Sequence, residues 1–264
     1  MDYEEVCRKT VDLAKKTGIF IKDSGGKLTA DSIEIKGKHN FVTSVDKNAE
    51  QKLVKELGNI LPEAGFIAEE GTADKKGEIY DWIIDPLDGT TNFIHGASPV
   101  AVSIALKEHD ELVAGVIYEI SSQECFYAYK GSKAYMNGKE IHVSSVGSVS
   151  DSLIATGFPY QNFDRLDPFM QSLSYLFNNS HGVRRLGSAA TDLAYVACGR
   201  YEAFYEYNLN PWDIAAGILI IQQAGGKVSD FKGGKNYLFG GEIVAANASV
   251  FPEFLKEIGK FMNR

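Results

Sequence analysis

The stretch Asp85-Pro-Leu-Asp-Gly-Thr-Thr-Asn92 follows directly on the short apolar run Trp82-Ile-Ile84. The apolar run predicts a buried strand that ends at an aspartate. Pro86 fixes φ and removes a backbone donor, and Gly89 allows the chain to turn tightly. Two carboxylates and two threonine hydroxyls are therefore expected at one strand end, an oxygen-rich cluster that suits a hard divalent cation. The alternative is an ordinary turn, because Asp, Pro and Gly all favour turns.

Two further acidic elements favour a metal site over an ordinary turn. Glu69-Glu70 ends the apolar run Phe66-Ile-Ala68, and Trp212-Asp213 opens the long apolar segment Ile214-Ala-Ala-Gly-Ile-Leu-Ile-Ile221. Unpaired buried carboxylates are costly, so acids at the ends of three apolar elements are most simply explained by a bound cation.

The composition excludes several classes of protein. The chain has 264 residues, of which 44% are hydrophobic and 23% charged, which suits one large domain or two tightly packed halves. A net charge of −8 argues against direct nucleic-acid binding through a basic patch. It is compatible with a phosphorylated substrate only if metal ions offset the repulsion.

The sequence also carries an expectation about localisation. No apolar run approaches the ~18 residues that a membrane span needs, and the acidic start lacks the apolar core of a signal peptide. The three cysteines, Cys7, Cys125 and Cys198, are odd in number and widely spaced, and are expected to be buried hydrophobes in a reducing compartment. We therefore expect a cytoplasmic protein without a membrane partner.

Hydrophobic periodicity divides the chain into two halves, residues 1–145 and 146–264. The first is predicted to place helices on an antiparallel sheet, and the second to alternate helices and strands. The predicted helices are a first helix closed by Gly25-Gly26, a second between Asp46 and Pro62, and then Asp167 to Phe177, Ala189 to Ala197 (with Ser188 as a possible cap), Trp212 to Ala224, and Phe251 to Met262. The predicted strands are Phe66 to Ala68, Trp82 to Ile84, Val100 to Leu106, Leu112 to Tyr118, Glu124 to Tyr129, Leu153 to Thr156, Val183 to Leu186, Tyr201 to Tyr207, one at Val228, and Ile243 to Ala246, with a hairpin turn at Asn137-Gly138.

Several short motifs together resemble the inositol monophosphatase family. The residues from Asp85 to Asn92 resemble its first signature, and Pro211-Trp-Asp-Ile-Ala-Ala-Gly217 followed by Ala224-Gly-Gly226 resembles its second. The other matching segments are Val42-Thr-Ser-Val-Asp46, Glu69-Glu70, Gly187-Ser-Ala-Ala190 and Phe204-Tyr-Glu206. They occur in family order along nearly the whole chain. The resemblance implies mixed α and β structure in a layered αβαβα sandwich of the sugar-phosphatase type, and a homodimer.

The resemblance also implies roles for individual residues. Mg²⁺ would be bound by Glu69, Asp85, the Leu87 carbonyl, Asp88 and Asp213. The catalytic residues would be Asp46, Thr90 and Glu69, with Asp46 and Thr90 orienting the attacking water. From the residues alone, Asp46 is also a favoured helix cap, and Asp213 also suits the first turn of a helix.

Substrate contacts are implied for a further set of residues: Asp88, Gly89, Thr90, Gly187, Ser188, Ala189, Glu206 and Asp213. The alternative for Glu206 is an ordinary surface residue at a strand end. The chain departs from many family members at Ala68, Gly71, Asn40 and Ala97-Ser-Pro99, which keeps the substrate open.

Two classes of function remain in view. The first is Mg²⁺-dependent, Li⁺-sensitive hydrolysis of a small phosphorylated polyol or sugar, with inositol 1-phosphate as the leading substrate. The alternatives within this class are fructose-1,6-bisphosphatase, histidinol-phosphate phosphatase and 3′-phosphoadenosine nucleotide phosphatase. The second class is a non-catalytic interaction role in a transcription assembly.

Overall fold

A computed structural model describes residues 1–25, 33–37, 40–159 and 163–263, with the side chains of 33–37 and 40–42 left undescribed. Gly26, expected beside Gly25 at a helix end, lies outside the described residues, as do the side chains of Asn40 and Val42. The helices are α1 Tyr3–Gly25, α2 Ser44–Ile60, α3 Thr90–Ile94, α4 Leu166–Asn179, α5 Ala189–Ala197, α6 Pro211–Gln223 and α7 Phe251–Met262. The strands are β1 Ile33–Gly37, β2 Asn40–Thr43, β3 Gly65–Ala68, β4 Tyr80–Asp88, β5 Ala101–Glu108, β6 Glu111–Glu119, β7 Glu124–Tyr129, β8 Ala134–Met136, β9 Lys139–Ile141, β10 Leu153–Thr156, β11 Gly182–Arg184, β12 Ala203–Tyr207, β13 Lys227–Ser229 and β14 Glu242–Ala246.

The larger sheet has the strand order β3-β4-β5-β6-β7-β8-β9. It is antiparallel from β4 onward, as predicted, but β3 pairs with β4 in parallel, so the prediction of a wholly antiparallel sheet was wrong. The parallel pair has a direct consequence, because Ala68 lies opposite Ile84 in the register. Glu69, the residue after β3, and Asp85, within β4, therefore lie near each other at the same end of this strand pair.

Alternation along β4 explains how the larger sheet is covered on both faces. Trp82 and Ile84 pack with α1 and α2, whereas Ile83 between them packs with α5 and α6. Side chains on a strand point alternately to opposite faces, so one continuous apolar run can serve two core layers.

The smaller sheet has the order β11-β10-β12-β14-β13 and lies on the far side of α5 and α6. Its outer face packs against α4 and α7. The layers therefore run α1 and α2, larger sheet, α5 and α6, smaller sheet, α4 and α7, which confirms the predicted αβαβα sandwich. The division into halves at residue 145 stays a prediction.

Helix α6 lies between the two sheets, which explains its unusual sequence. All eight residues from Ile214 to Ile221 are buried, so the helix lacks the polar face of a surface helix. Packing is tight, because a Cβ added at Gly217 would lie 2.5 Å from the Leu193 Cβ. The rigid middle layer therefore fixes the start of α6, where Asp213 lies.

Local sequence signals account for several other features. Asn137 and Gly138 have φ of 49° and 83°, and form the predicted turn between β8 and β9. Cys7 and Cys125 are buried as expected, and Cys198 is half-buried. Among the described residues, no helix is both long enough and apolar enough to cross a membrane.

Candidate active site

The start of α2 places Asp46 behind Thr90. Thr43 is the N-cap residue of α2, and Asp46 Oδ2 accepts from the Thr43 backbone N–H at 3.0 Å, which closes a capping box. Asp46 Oδ1 accepts from the Thr90 hydroxyl at 3.0 Å. Burial raises the pKa of Asp46, and the hydrogen bonds from Thr43 and Thr90 oppose this rise. The alternative that Asp46 is the N-cap residue is therefore wrong. Asp46 instead makes a capping contact with Thr43 and a second contact with Thr90.

The end of β4 turns two aspartates toward a common cleft. The register between β4 and β5 shifts between Asp85 and Asp88, so the strand is interrupted between the two acids. Asp85 is 2% exposed, and its Oδ1 accepts from the Leu87 backbone N–H at 2.8 Å. Gly89 has φ 93°, and a Cβ there would lie 2.9 Å from the Pro99 carbonyl oxygen, so the turn requires glycine.

Asp88 is anchored to the start of α5. Its Oδ2 accepts from the Ser188 hydroxyl at 2.6 Å and from the Ala190 backbone N–H at 2.7 Å. Ser188 is the N-cap residue of α5, as predicted, and its oxygen also accepts from the Thr191 N–H. The Asp88 residue is partly exposed to the cleft, yet enclosure by protein raises its pKa to about 6. This link brings residues 100 positions apart into one site.

Asp213 reaches the same cleft from the first turn of α6. Its Oδ2 accepts from the Asn210 backbone N–H at 2.6 Å, so the helix-start role considered above is also present. Burial raises the pKa of Asp213 to about 7, with a further contribution from Asp88. The carboxyl therefore has a structural contact on one oxygen while it borders the cleft.

Glu69 is positioned by a buried acid that sequence reasoning missed. Glu50 on α2 accepts from the backbone N–H groups of Glu70 at 2.7 Å and Thr72 at 2.8 Å. The Glu69 N–H itself donates to the Ile84 carbonyl at 3.2 Å. A signal was available, because Asp46 and Glu50 are four residues apart and so share one face of α2.

The predicted metal ligands surround one cleft. Glu69, Asp85, Leu87, Asp88 and Asp213 all line it. Burial, followed by the charges of Glu69, Asp88 and Asp213, raises the pKa of Asp85 well above its ordinary value. Within the described ranges, no three acidic, histidine or cysteine side chains are positioned to hold a metal ion between them. An open wall of oxygen donors fits Mg²⁺, which retains several waters and takes few protein carboxylates.

The predicted substrate contacts border the same cleft. Gly89, Thr90, Gly187, Ser188, Ala189 and Glu206 all line it, whereas Asp46 reaches it only through Thr90. Glu206 is 6% exposed, so the alternative of an ordinary surface residue is wrong. A Cβ added at Gly157 would lie 2.1 Å from the Glu206 carboxylate oxygens, so glycine at 157 makes room for that carboxylate.

Several lining residues were not predicted. They come from loops and from α5, and include Gly157, Phe158, Arg185, Asp192, Asn208 and Asn210. The Arg185 guanidinium lies 5.5 Å from the centre of the Phe158 ring, and its charge lowers the pKa of Asp88 against the effect of burial. No motif marks these positions, because the fold alone brings the loops together.

The chain is a layered αβαβα sandwich with a cleft lined by carboxylates. A profile described as the inositol monophosphatase family matches residues 2–260. The chain belongs to the inositol monophosphatase family.

Individual relatives cover nearly the whole chain. A Pseudomonas aeruginosa protein named Nus factor SuhB is 42% identical over 93% of this chain and 92% of its own length. An inositol-1-monophosphatase of Mesorhizobium japonicum is 40% identical over 95% of this chain and 94% of its own length. The crystal structure of the extragenic suppressor protein suhB from Bartonella henselae has a TM-score of 0.92 and 37% identity, and covers 97% of this chain and 99% of that one.

Proposed function

We propose that this chain is a Mg²⁺-dependent phosphatase that hydrolyses inositol 1-phosphate to inositol and phosphate. The observation that carries the proposal is the convergence of Glu69, Asp85, Asp88 and Asp213 on one cleft from three separate elements. The Mesorhizobium relative named inositol-1-monophosphatase supports this choice of substrate.

The metal site is proposed to consist of Glu69, Asp85, the Leu87 carbonyl, Asp88 and Asp213. Bound Mg²⁺ supplies an activated water and offsets the negative charge of the phosphate and of the leaving oxygen. The carboxylates of Asp85 and Asp88 are pre-positioned by backbone N–H groups and by Ser188. This fixed geometry reduces the reorganisation needed when substrate binds.

Thr90 and Asp46 are proposed to orient the attacking water. The Thr90 hydroxyl lies 3.0 Å from Asp46 Oδ1 and 3.1 Å from the Leu87 carbonyl oxygen. Its single proton can go to either acceptor, which leaves its lone pairs facing the cleft to accept from a water. Glu69 borders the same cleft and is proposed as the third catalytic residue.

The alcohol half of the substrate is proposed to lie against Glu206, with Gly187, Ser188 and Ala189 beside it. The phosphate is proposed to lie near Gly89, Thr90, Asp88 and Asp213. The Glu206 carboxyl borders the cleft but is largely buried from solvent, so a substrate hydroxyl that hydrogen-bonds to it has little competition from water.

A phosphate-release panel tests the proposal. The substrates are inositol 1-phosphate, fructose 1,6-bisphosphate, histidinol phosphate and 3′-phosphoadenosine 5′-phosphate, each with Mg²⁺ and with EDTA. The expected result is Mg²⁺-dependent release that is fastest from inositol 1-phosphate. A higher kcat/KM on another member of the panel would reassign the substrate, and no release from any would overturn the phosphatase.

We also propose a homodimer and inhibition by Li⁺. Li⁺ carries one charge and could occupy a site bordered by Asp88 and Asp213 without supporting product release. Initial rates at millimolar Li⁺ test the inhibition, and light scattering tests the dimer. Unchanged rates would place the chain in a Li⁺-insensitive branch of the family.

A second candidate function is docking to a transcription assembly. The name of the Pseudomonas relative favours it, and the net charge of −8 favours a protein partner over direct contact with nucleic acid. Co-sedimentation with a purified transcription elongation complex tests it, with the Asp85→Asn variant in parallel. Co-sedimentation of both forms would show that docking does not need the metal site, and co-sedimentation of neither would remove this candidate.

A further inference from the structure

Asp192 is a buried acid that the mechanism above does not use. It lies in the first turn of α5, is 1% exposed and borders the cleft. In the part of the chain that the structure describes, its Oδ1 has no hydrogen-bond partner. A buried carboxyl oxygen without a partner is costly, so its retention beside a binding cleft needs an explanation.

Asp192 lies among charged side chains of the cleft. The charges that act on it are those of Glu206, Asp88 and Arg185. Burial raises the pKa of Asp192, Glu206 and Asp88 raise it further, and Arg185 opposes them. Asp192 is therefore near Glu206, the proposed contact for the alcohol half of the substrate.

Hydrogen bonds at the start of α5 hold the backbone around Asp192. Its N–H donates to the Ser188 carbonyl at 3.0 Å, and Ser188 in turn holds Asp88 through its hydroxyl. The first turn of α5 therefore both binds Asp88 and contains Asp192. A group fixed in this way can discriminate between ligands without first having to be ordered.

We propose that Asp192 is a specificity-determining residue whose free oxygen shares a hydrogen bond with a second hydroxyl of the substrate, beside the hydroxyl bound by Glu206. The proposal rests on the proposed phosphatase function and deepens it. A hydroxyl both donates and accepts, so it suits either protonation state of the carboxyl. The substrate class is then a phosphate monoester of an alcohol with at least two further hydroxyls, and simple alcohol or phenol esters are poor substrates.

The first test compares Asp192→Asn with wild type on inositol 1-phosphate and on p-nitrophenyl phosphate, whose leaving group has no further hydroxyl. The expected result is a loss of about 10- to 100-fold in kcat/KM on inositol 1-phosphate, the scale of one charge-assisted hydrogen bond, and a loss at least about fivefold smaller on the phenyl ester. The matched control is Asp167→Asn, which removes an exposed acid from the first turn of α4, outside the cleft.

Product inhibition gives a second readout that a purely structural role would not move. Free inositol should inhibit Asp192→Asn about tenfold more weakly than wild type, while inhibition by inorganic phosphate changes less. Equal losses on both substrates, with inhibition by inositol unchanged, would overturn the role of Asp192.

If Asp192→Asn fails to fold, a third measurement on wild type still tests the proposal. Wild type is assayed with inositol 1-phosphate analogues that each lack one ring hydroxyl. Two sensitive positions are expected, one for Glu206 and one for Asp192, and a single sensitive position would overturn the proposal. Failure of the phosphatase function itself is distinguishable, because wild type would then release phosphate from neither inositol 1-phosphate nor the phenyl ester.

Discussion

The Thr90 hydroxyl donates to Asp46 Oδ1 at 3.0 Å, across 44 residues of chain, and so joins the start of α2 to the turn after β4. If this pair orients the water, Thr90→Val and Asp46→Asn should each lower kcat by about 10²- to 10³-fold. The two losses should not add in the double variant, because the residues act as one unit. Steady-state kinetics on inositol 1-phosphate measures all three.

Thr10→Val is the control for the Thr90 variant. Thr10 is buried in α1, and its hydroxyl donates to the Val6 carbonyl at 2.9 Å, outside the cleft. Near-normal kcat is expected. Fully additive losses in the double variant would show that Asp46 and Thr90 act separately.

Glu50 should be important for stability as well as activity. Glu50→Ala leaves two backbone N–H groups, those of Glu70 and Thr72, without their present acceptor. The expected cost is about 1–3 kcal/mol of unfolding free energy, or a Tm lower by roughly 3–10 °C for a chain of this size. Differential scanning calorimetry measures it, with Glu56→Ala on the exposed side of α2 as control. A Tm equal to that of the control would mean that water replaces the Glu50 carboxylate freely.

A substitution at Gly157 tests the role of Glu206 without changing Glu206 itself. The Cβ of Gly157→Ala would fall 2.1 Å from the Glu206 oxygens, so the carboxylate must move. We expect kcat/KM on inositol 1-phosphate to fall about tenfold or more, the scale of a lost charge-assisted hydrogen bond, with a smaller loss on p-nitrophenyl phosphate. Gly147→Ala is the control, because a Cβ there meets no atom within 4 Å. Equal losses on both substrates would argue against a hydroxyl contact by Glu206.

The buried acids predict an unusual pH dependence for the metal-free protein. The pKa of Asp88 is raised to about 6 and that of Asp213 to about 7, from an unfolded value of about 3.9. The folded state then binds more protons than the unfolded state between about pH 4 and 7, so stability falls as pH rises through this window. Mg²⁺ requires ionised carboxylates, so its stabilising effect should grow over the same window.

Thermal unfolding with EDTA and with Mg²⁺ checks this expectation at pH 5.5 and pH 8. The Tm with EDTA should be lower at pH 8, and the gain in Tm on adding Mg²⁺ should be larger there. A gain that is the same at both pH values would contradict a site built on these acids.

Most helices and strands could be predicted because their signals are local, whereas the order of the layers was implied by the family resemblance. Leu153–Thr156 and Ala189–Ala197 match the structure residue for residue, since strand composition and a serine cap define them. The parallel pairing of β3 with β4 was not predicted, because pairing direction depends on the connection between strands and leaves no mark in their composition. The same connection brings Glu69 beside Asp85.

The proposed metal ligands fall inside motifs that mark them in the sequence, whereas the residues that support them do not. Glu50 binds backbone groups 20 and 22 residues away, and a single glutamate on an amphipathic helix carries no sign of that contact. Arg185 and Asp192 line the cleft because α5 packs between the two sheets, which their local sequence does not indicate. Side chains that act through tertiary packing require the fold before they can be found.

The central claim is that the carboxylates of this cleft hold Mg²⁺ for phosphate-ester hydrolysis. The most direct measurement compares Mg²⁺-dependent phosphate release from inositol 1-phosphate by wild type and by Asp85→Asn, with the fold of both checked by circular dichroism. Asp85 is buried and acts together with Glu69, Asp88 and Asp213, so kcat should fall by about 10³-fold or more in the folded variant. Near-normal turnover by a folded Asp85→Asn enzyme, or wild-type turnover that EDTA leaves unchanged, would contradict the account.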